Sequence, residues 1–284
     1  MSTPRRQNND HTLMDDIYRR LPSTLYRYAR FTEPEHKGWI QDTITGHNLY
    51  FGSPSHFNDP FDCRIPLSFK ASPLRMEQFW RNYLKQIFPG EPLRNYKKRH
   101  RELIHQSTTP AGRAQLSEQV YESSAKSGMV CLSESADSIL MWSYYAEGHR
   151  GVCLEFCTTP ECIHQAMQKR NSFFPLDVTY CHELPVADFY SSDTPTFIKT
   201  LFGVKSYAWR HEKEWRLVSP YYVGKMEIPK MMLSGIIYGI KTEEEDKTLI
   251  RQWCQQRSGG SLALKVIRQK VGSFDLEVVD VDHV

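Results

Sequence analysis

The sequence predicts an α+β protein: a single domain built on a mixed or antiparallel sheet, with a helical insertion at about 73–126. Strand patterns lie near both ends of the chain and in its middle, and helical periodicity is concentrated in the insertion. No repeat and no linker divides the chain. Strands and helices in separate runs are typical of α+β domains. We expect the domain to span 13–284, after a disordered tail at 1–12.

Strands are predicted where polar and apolar residues alternate, or where a short apolar run lies between turn residues. The first of them, 25–31, alternates, and a buried strand is expected at 234–240. The predicted strands are 25–31, 48–52, 128–133, 151–156, 173–180, 214–218, 234–240, 262–268 and 274–281.

Helices are predicted from apolar residues at helical spacing and from the residues that begin and end helices. Pro34 is well placed in a first turn, and Gly46 is well placed to end that helix. In the insertion, Pro89-Gly90 and 108–112 interrupt the helical pattern. The other predicted helices are 139–146, 195–209 and 242–256.

The composition limits the classes of function. The chain has 284 residues, of which 36 are basic and 33 acidic, so its net charge of +3 does not argue for nucleic-acid or membrane binding. The aromatic content of 12% excludes a disordered chain. No apolar segment approaches the roughly 18 residues of a membrane-spanning helix. With no signal sequence in view, we expect a cytoplasmic protein with reduced thiols.

The cysteines give little indication of a metal site. Cys153, Cys157 and Cys162 lie near His164, but the chain has no Cys-x-x-Cys pair of the kind that zinc sites usually show. We therefore expect these cysteines to be small apolar residues of the interior, and we predict no metal.

The first candidate site is the loop 53–62, which is dense in hydroxyl, amide and carboxylate groups. His56, Asn58, Asp59 and Asp62 could contact a ligand. Asn and Asp also commonly bond to their own backbone, so a structural turn is an equal alternative.

The second candidate is the segment 141–149. Trp142 and Tyr145 share one face of the predicted helix. His149 follows in a glycine-flanked turn, where an imidazole could face a ligand or make a structural hydrogen bond. Arg150 beside it could bind an anion.

The third candidate is the segment 209–218. If it is a strand, Glu212, Glu214 and Arg216 lie on one face and Lys213 and Trp215 on the other. Such a charged row is costly to bury unless its members pair, so it is either a ligand site or a salt-bridge ladder. In the ladder, the glutamates would pair with neighbouring arginines such as Arg27.

Five segments together resemble a large, mostly uncharacterised family of bacterial and phage proteins. They are Leu25-Tyr26-Arg27-Tyr28, the Phe-Asn-Asp-Pro-Phe-Asp segment ending at Asp62, Cys131-Leu132-Ser133, the Met-Trp-Ser-x-Tyr-Ala segment beginning at Met141, and Lys205 with Trp209–Arg216. The sequence departs from the family at Tyr144, where the family often has His. The resemblance implies a phage-defence or toxin role.

A more distant similarity is to ADP-ribosyltransferases, which implies that NAD is consumed as a substrate. In such a site Glu214 would hold the nicotinamide ribose and stabilise an oxocarbenium-like transition state, and Glu212 would help to deprotonate the acceptor. The other residues expected to bind NAD are Tyr26, Arg27, Tyr28, Ser53, Asn58, Asp59, Trp142, His149 and Arg216. Tyr26, Tyr50 or Trp142 would stack on nicotinamide.

The sequence therefore leaves three hypotheses. The first is an NAD-consuming ADP-ribosyltransferase-like enzyme that acts on a nucleotide-type small molecule, with a protein or nucleic-acid acceptor and no membrane partner. The second is a nucleic-acid binder or nuclease, based on the basic run 94–101 and on Asp59, Asp62 and Glu212 as holders of a divalent metal. The third is a non-catalytic sensor of a phage product.

Overall fold

The structure, a computed structural model, describes residues 9–168 and 173–281. It is a mixed α+β fold, as predicted. The helices are α1 (Asn9–Arg20), α2 (Pro34–Thr45), α3 (Pro73–Ile87), α4 (Leu93–Thr108), α5 (Pro110–Ser124), α6 (Ile139–Tyr145), α7 (Pro160–Met167), α8 (Thr194–Phe202) and α9 (Glu244–Gln256). Short 3-10 helices lie at Pro54–His56, Tyr207–Glu212 and Lys230–Met232.

In the part of the chain that the structure describes, eight strands form the main sheet and six form smaller pairs. In chain order the strands are β1 (Thr24–Ala29), β2 (Asn48–Phe51), β3 (Leu67–Ser68), β4 (Gly128–Ser133), β5 (Val152–Cys157), β6 (Phe174–Asp177), β7 (Thr179–Cys181), β8 (Ala187–Asp188), β9 (Val204–Ser206), β10 (Glu214–Ser219), β11 (Gly224–Glu227), β12 (Leu233–Tyr238), β13 (Ala263–Gln269) and β14 (Leu276–Asp280). The main sheet has the order β14-β13-β12-β5-β1-β4-β10-β6, and its pairs are antiparallel except β12–β13.

The main sheet has a weak junction in its middle. Strand β1 pairs with β5 along its whole length, and β4 pairs likewise with β10. Between β1 and β4, however, the only register pair is Tyr26↔Ser133. Two well-bonded halves of the sheet therefore meet at one point and diverge beyond it.

The helical insertion has a small apolar core of its own. Helices α3 to α5 occupy the segment in which the sequence predicts helices. Ser72 caps α3 and Thr109 caps α5, each with a proline at the first turn. Trp80 and Leu116 from these helices pack with Tyr190 in a cluster separate from the main core.

Three predicted elements differ from the structure. The predicted strand 173–180 is two strands, because β6 joins the main sheet and β7 pairs with β9. Residues 1–8 of the predicted disordered tail lie outside the described residues, but residues 9–12 begin helix α1. The predicted helix 195–209 is wrong beyond α8, because Gly203 ends the helix and Lys205 enters strand β9. In the described ranges, no helix is long and apolar enough to cross a membrane.

Candidate functional site

Five charged side chains form a cluster near the first residues of strand β10. We call them the Arg216 cluster: Asp62, Lys205, Glu212, Glu214 and Arg216. All five are buried. Only Glu214 and Arg216 lie on the predicted strand. Glu212 ends a 3-10 helix, and Lys213 takes a left-handed conformation (φ 45°) that turns the chain into β10.

Arg216 is wholly buried and fully bonded. Its guanidinium holds both oxygens of Asp62 at 2.8 and 2.6 Å and both oxygens of Glu214 at 2.8 and 3.2 Å. It also donates to the Phe202 carbonyl at 2.8 Å and contacts the Cys63 sulfur at 3.3 Å. This forked pairing is the geometry in which arginine binds carboxylates best. Arg216 therefore has no donor left for a ligand.

Lys205 joins the two glutamates. Its ammonium donates to Glu212 Oε2 and, at 3.0 Å, to Glu214 Oε2, and it lies 5.2 Å from the centre of the Trp209 ring. The other oxygen of Glu212 accepts a hydrogen bond from the Tyr145 hydroxyl at 2.6 Å. Glu212 is thus the member of the cluster that connects to helix α6.

The pKa shifts follow from this pairing. Burial acts to raise the pKa of Glu214, but Arg216 and Lys205 outweigh it and lower that pKa to about 2. Burial opposes the charge of Lys205, yet Glu214 and Glu212 raise its pKa. For Glu212, burial raises the pKa although Lys205 opposes the shift. Glu214 is therefore held as a permanent anion, and Glu212 is the carboxyl group closer to gaining a proton.

The geometry of the cluster decides between the two interpretations of the charged row, a ligand site and a salt-bridge ladder. Glu214 pairs with Arg216 and Lys205, and no ion pair joins it to Arg27 in the described residues. Its side chain is only 4% exposed. The arrangement is that of a buried salt-bridge network, which holds loop 53–62, β9 and β10 together.

A pocket opens beside strands β1 and β5. We call it the Arg27 pocket; its volume is about 380 Å³, and its lining includes Arg27, Tyr28, Trp39, Tyr50, Tyr145 and Leu154. Arg27 and Leu154 come from the main sheet, whereas the other walls are α2, β2 and α6. The pocket thus lies against β1 and its partner β5, and Tyr145 links it to the Arg216 cluster.

Arg27 is half-buried in this pocket. In the described part of the chain its guanidinium makes no hydrogen bond and no ion pair. Burial lowers its pKa, and the nearby thiol of Cys131 opposes that shift. Cys131 is an exposed residue, but desolvation of its thiol and the nearby charge of Glu214 raise its pKa.

Positive charge and aromatic rings share the rim of the pocket. Arg30 adds a second guanidinium, whereas Lys225 is neutralised by Asp42 at 2.6 Å. Trp39 and Tyr50 are 44% and 42% exposed, and their rings are nearly parallel at a centroid distance of 6.3 Å. The rim can therefore receive a planar ring next to an anion.

Three predicted binding residues lie in structural positions instead. Trp142 is fully buried, donates to the Ala136 carbonyl and packs on the Tyr28 ring, so it cannot stack on a ligand. Tyr26 alternates with Arg27 on β1 and packs on the other face of the sheet. Ser53 caps a 3-10 helix and donates to the Ala125 carbonyl.

The remaining predicted residues are divided between the pocket wall and the turns. Tyr28 lines the pocket, but its hydroxyl donates to the Ser135 carbonyl. Asn58 contacts the Tyr145 hydroxyl at 3.4 Å, and Asp59 accepts from the Phe61 N–H in a turn. His149 stacks on Trp142 in a left-handed turn (φ 72°), and burial lowers its pKa.

Some residues of the site carried little signal in the sequence. Trp39 and Arg30 belong to no motif, yet both line the pocket, Trp39 from α2 and Arg30 from directly after the end of β1. The sequence pattern places Lys205 in a helix, although the family resemblance includes it together with the glutamates. In the described ranges, no group of three or more His, Cys, Asp or Glu side chains could hold a metal ion.

The fold and site define an α+β protein with a split main sheet, a buried ion cluster and a basic, aromatic pocket. Residues 141–217 match the family described as "Protein of unknown function (DUF2971)". The match runs from α6 to β10 and so includes Tyr145, Lys205, Glu212, Glu214 and Arg216. No curated protein and no solved structure matches the chain.

Proposed function

We propose that the chain binds a nucleotide-type small molecule in the Arg27 pocket. The observation that carries the proposal is the half-buried guanidinium of Arg27, which has no hydrogen-bond or ion-pair partner in the described residues. A charge removed from water without a partner is unfavourable. A phosphate supplies the charge and the paired oxygen acceptors that a guanidinium binds best.

The aromatic rim supports a nucleotide over a simple anion. Trp39 and Tyr50 offer exposed ring faces, on which a base or a nicotinamide ring can stack. Arg27 and Arg30 together carry two positive charges at one pocket. Two charges suit the pyrophosphate of a dinucleotide better than a single phosphodiester.

NAD is the nucleotide that we infer, and cleavage of its bond to nicotinamide is the proposed reaction. Glu214 is committed to Arg216 and Lys205, so Glu212 is the better placed of the two predicted catalytic glutamates. Its hydrogen bond to Tyr145 brings a polarised hydroxyl to the pocket wall, where it can stabilise a ribose cation. A protein or nucleic-acid acceptor and a phage-defence role rest on the resemblance alone.

Binding is tested by calorimetry with NAD, ADP-ribose and adenosine. Arg27→Met removes a charged hydrogen bond worth about 1.5–3 kcal/mol, so we expect the affinity for NAD to fall about 10- to 150-fold. The matched control is Arg94→Met, on the exposed face of α4, which should bind as the wild type does. Equal affinities in the three proteins would refute the pocket assignment.

The reaction is tested separately by measuring nicotinamide release from NAD. Tyr145→Phe removes only the hydroxyl between the pocket and Glu212, and Glu212→Gln removes the charge behind it. Both should abolish release, whereas Glu244→Gln, on the surface of α9, should not. If the wild type binds NAD but releases no nicotinamide, the chain is a nucleotide sensor and not an enzyme.

A second candidate function, nucleic-acid binding, is favoured by a basic cleft between α3 and α4. Arg81, Lys85, Lys97 and Arg101 are exposed along this cleft of about 920 Å³. Binding without nuclease chemistry is proposed, because the carboxylates suggested as metal holders bond to protein groups. Affinity for single-stranded DNA should fall with salt with a slope of about −3 on a log–log plot for four contacts. A slope near zero would exclude this surface.

A further inference from the structure

Two thiols lie side by side at the end of the central strand β5. Cys157 ends the strand, and Cys162 lies in the first turn of α7; their sulfur atoms are 3.1 Å apart. The segment between them is fixed at both ends, because Thr158 donates to the Pro22 carbonyl and Thr159 caps α7 with Pro160 at its first position. Neither sulfur needs a change of fold to reach the other.

The two cysteines differ in exposure and in pKa, and this difference suits an oxidation in two steps. Cys157 is partly exposed, whereas Cys162 is buried. Burial acts against the Cys157 thiolate, but hydrogen bonds from the Thr159 backbone, from the Cys162 thiol and from the Thr159 hydroxyl outweigh it and lower its pKa. Burial and the Cys157 sulfur raise the pKa of Cys162 to about 11. The accessible sulfur is thus the nucleophile and the buried one its neutral neighbour.

We propose that Cys157 and Cys162 form a modification site at which hydrogen peroxide converts a dithiol into a disulfide. The Cys157 thiolate attacks one peroxide oxygen and breaks the O–O bond, which gives a sulfenic acid and a hydroxide that takes up a proton. The Cys162 sulfur then attacks the Cys157 sulfur, and the hydroxyl leaves as water with the thiol proton. Two electrons pass from the two sulfurs to the peroxide, which is reduced to two waters.

The remaining thiols show why this pair is selected. Cys153, on the same strand, is wholly buried, and burial raises its pKa. Cys181 is partly exposed like Cys157, but no second sulfur contacts it in the described residues. Cys181 therefore serves as the matched control for exposure without a neighbouring thiol.

The test treats the full-length protein with hydrogen peroxide, blocks the remaining thiols by alkylation and maps the tryptic peptide 151–169 by mass spectrometry. In the wild type we expect the peptide to lose two hydrogens and to carry one alkyl group, on Cys153, and dithiothreitol to restore both thiols. Cys157→Ser and Cys162→Ala should each lose this product completely, whereas Cys181→Ser should keep it in full.

Two results would overturn the proposal. One is a wild-type peptide that stays fully alkylated at a dose that oxidises Cys181. The other is a Cys157 that ends as sulfinic acid with Cys162 still alkylated, which would show that the buried thiol does not resolve the intermediate. Both are read on the wild type, so they hold even if the Cys162→Ala variant does not fold.

Discussion

Replacement of Arg216 by methionine tests whether this arginine stabilises the fold or is available to bind a ligand. Methionine fills much of the volume but removes every donor, so Asp62 and Glu214 stay buried without their main counterion. The cluster then holds three carboxylates against one ammonium, instead of against two cations. Loss of one partner from a buried ion pair costs about 3–5 kcal/mol. Against a total stability of about 5–15 kcal/mol, this cost is about a fifth of the stability or more.

The measurement is urea unfolding followed by tryptophan fluorescence. With a slope of about 3 kcal/mol/M, the midpoint for Arg216→Met should fall by about 1 M or more. The control is Arg27→Met, which removes the same group from a position without hydrogen bonds and should change stability by less than about 1 kcal/mol. Adding Asp62→Asn to Arg216→Met should recover part of the loss, because one buried charge is removed. A cost below about 1 kcal/mol for Arg216→Met would refute the assignment of the cluster to the fold.

Three further outcomes are expected. The pKa of Glu214 is about 2 in the folded protein and 4.5 ordinarily. As the pH falls, the unfolded state therefore binds a proton at Glu214 before the folded state does. Stability present above pH 4.5 should therefore fall by about 3 kcal/mol towards pH 2, and Glu214→Gln should flatten this fall in urea midpoints. Gly151→Ala places a Cβ 2.1 Å from the Ala29 carbonyl oxygen and should cost about 1–3 kcal/mol, whereas Gly38→Ala, with no atom within 4 Å, should not destabilise the protein in thermal melts. Trp80→Phe breaks a buried bond to the Ser107 hydroxyl and should cost about 1–2 kcal/mol in the same melts.

Elements with a strong local pattern could be predicted from the sequence. The three helices of the insertion each begin with a capping residue or a proline, and their ends fall close to the predicted interruptions. Strand β10 also begins where it was predicted. These features depend on residues that are close together in the chain, so the local sequence pattern is enough to predict them.

Elements set by distant contacts could not be predicted in the same way. Val204–Ser206 has the apolar spacing of a helix, yet it pairs with β7 as a strand and brings Lys205 to two glutamates. Trp142 satisfies the sequence pattern of a stacking residue equally well whether it is buried or exposed. Its full burial, its packing on Tyr28 and its bond to the Ala136 carbonyl show that it belongs to the core.

The charged row shows what a pattern leaves undecided. The sequence identifies Glu214 and Arg216 as costly to bury. Whether such residues form a ligand site depends on how many protein groups already bond to them. Arg216 has acceptors for all its donors, so it is structural; Arg27 has none in the described residues, although both arginines lie in strands of the same sheet. Which arginine is left for a ligand depends on Asp62, a residue more than 150 positions from Arg216 in the chain.

Tyr145 explains why the pocket and the cluster are neighbours. It lines the pocket, and its hydroxyl donates to Glu212 of the cluster. On the side of the cluster, buried ion pairs join β10 to Lys205 of β9 and to Asp62 of loop 53–62. On the side of the pocket, the Arg27 guanidinium has no hydrogen-bond or ion-pair partner in the described residues. Because a charge can be enclosed only where partners replace water, Arg216 is enclosed in the core and Arg27 faces a pocket that admits water or a ligand.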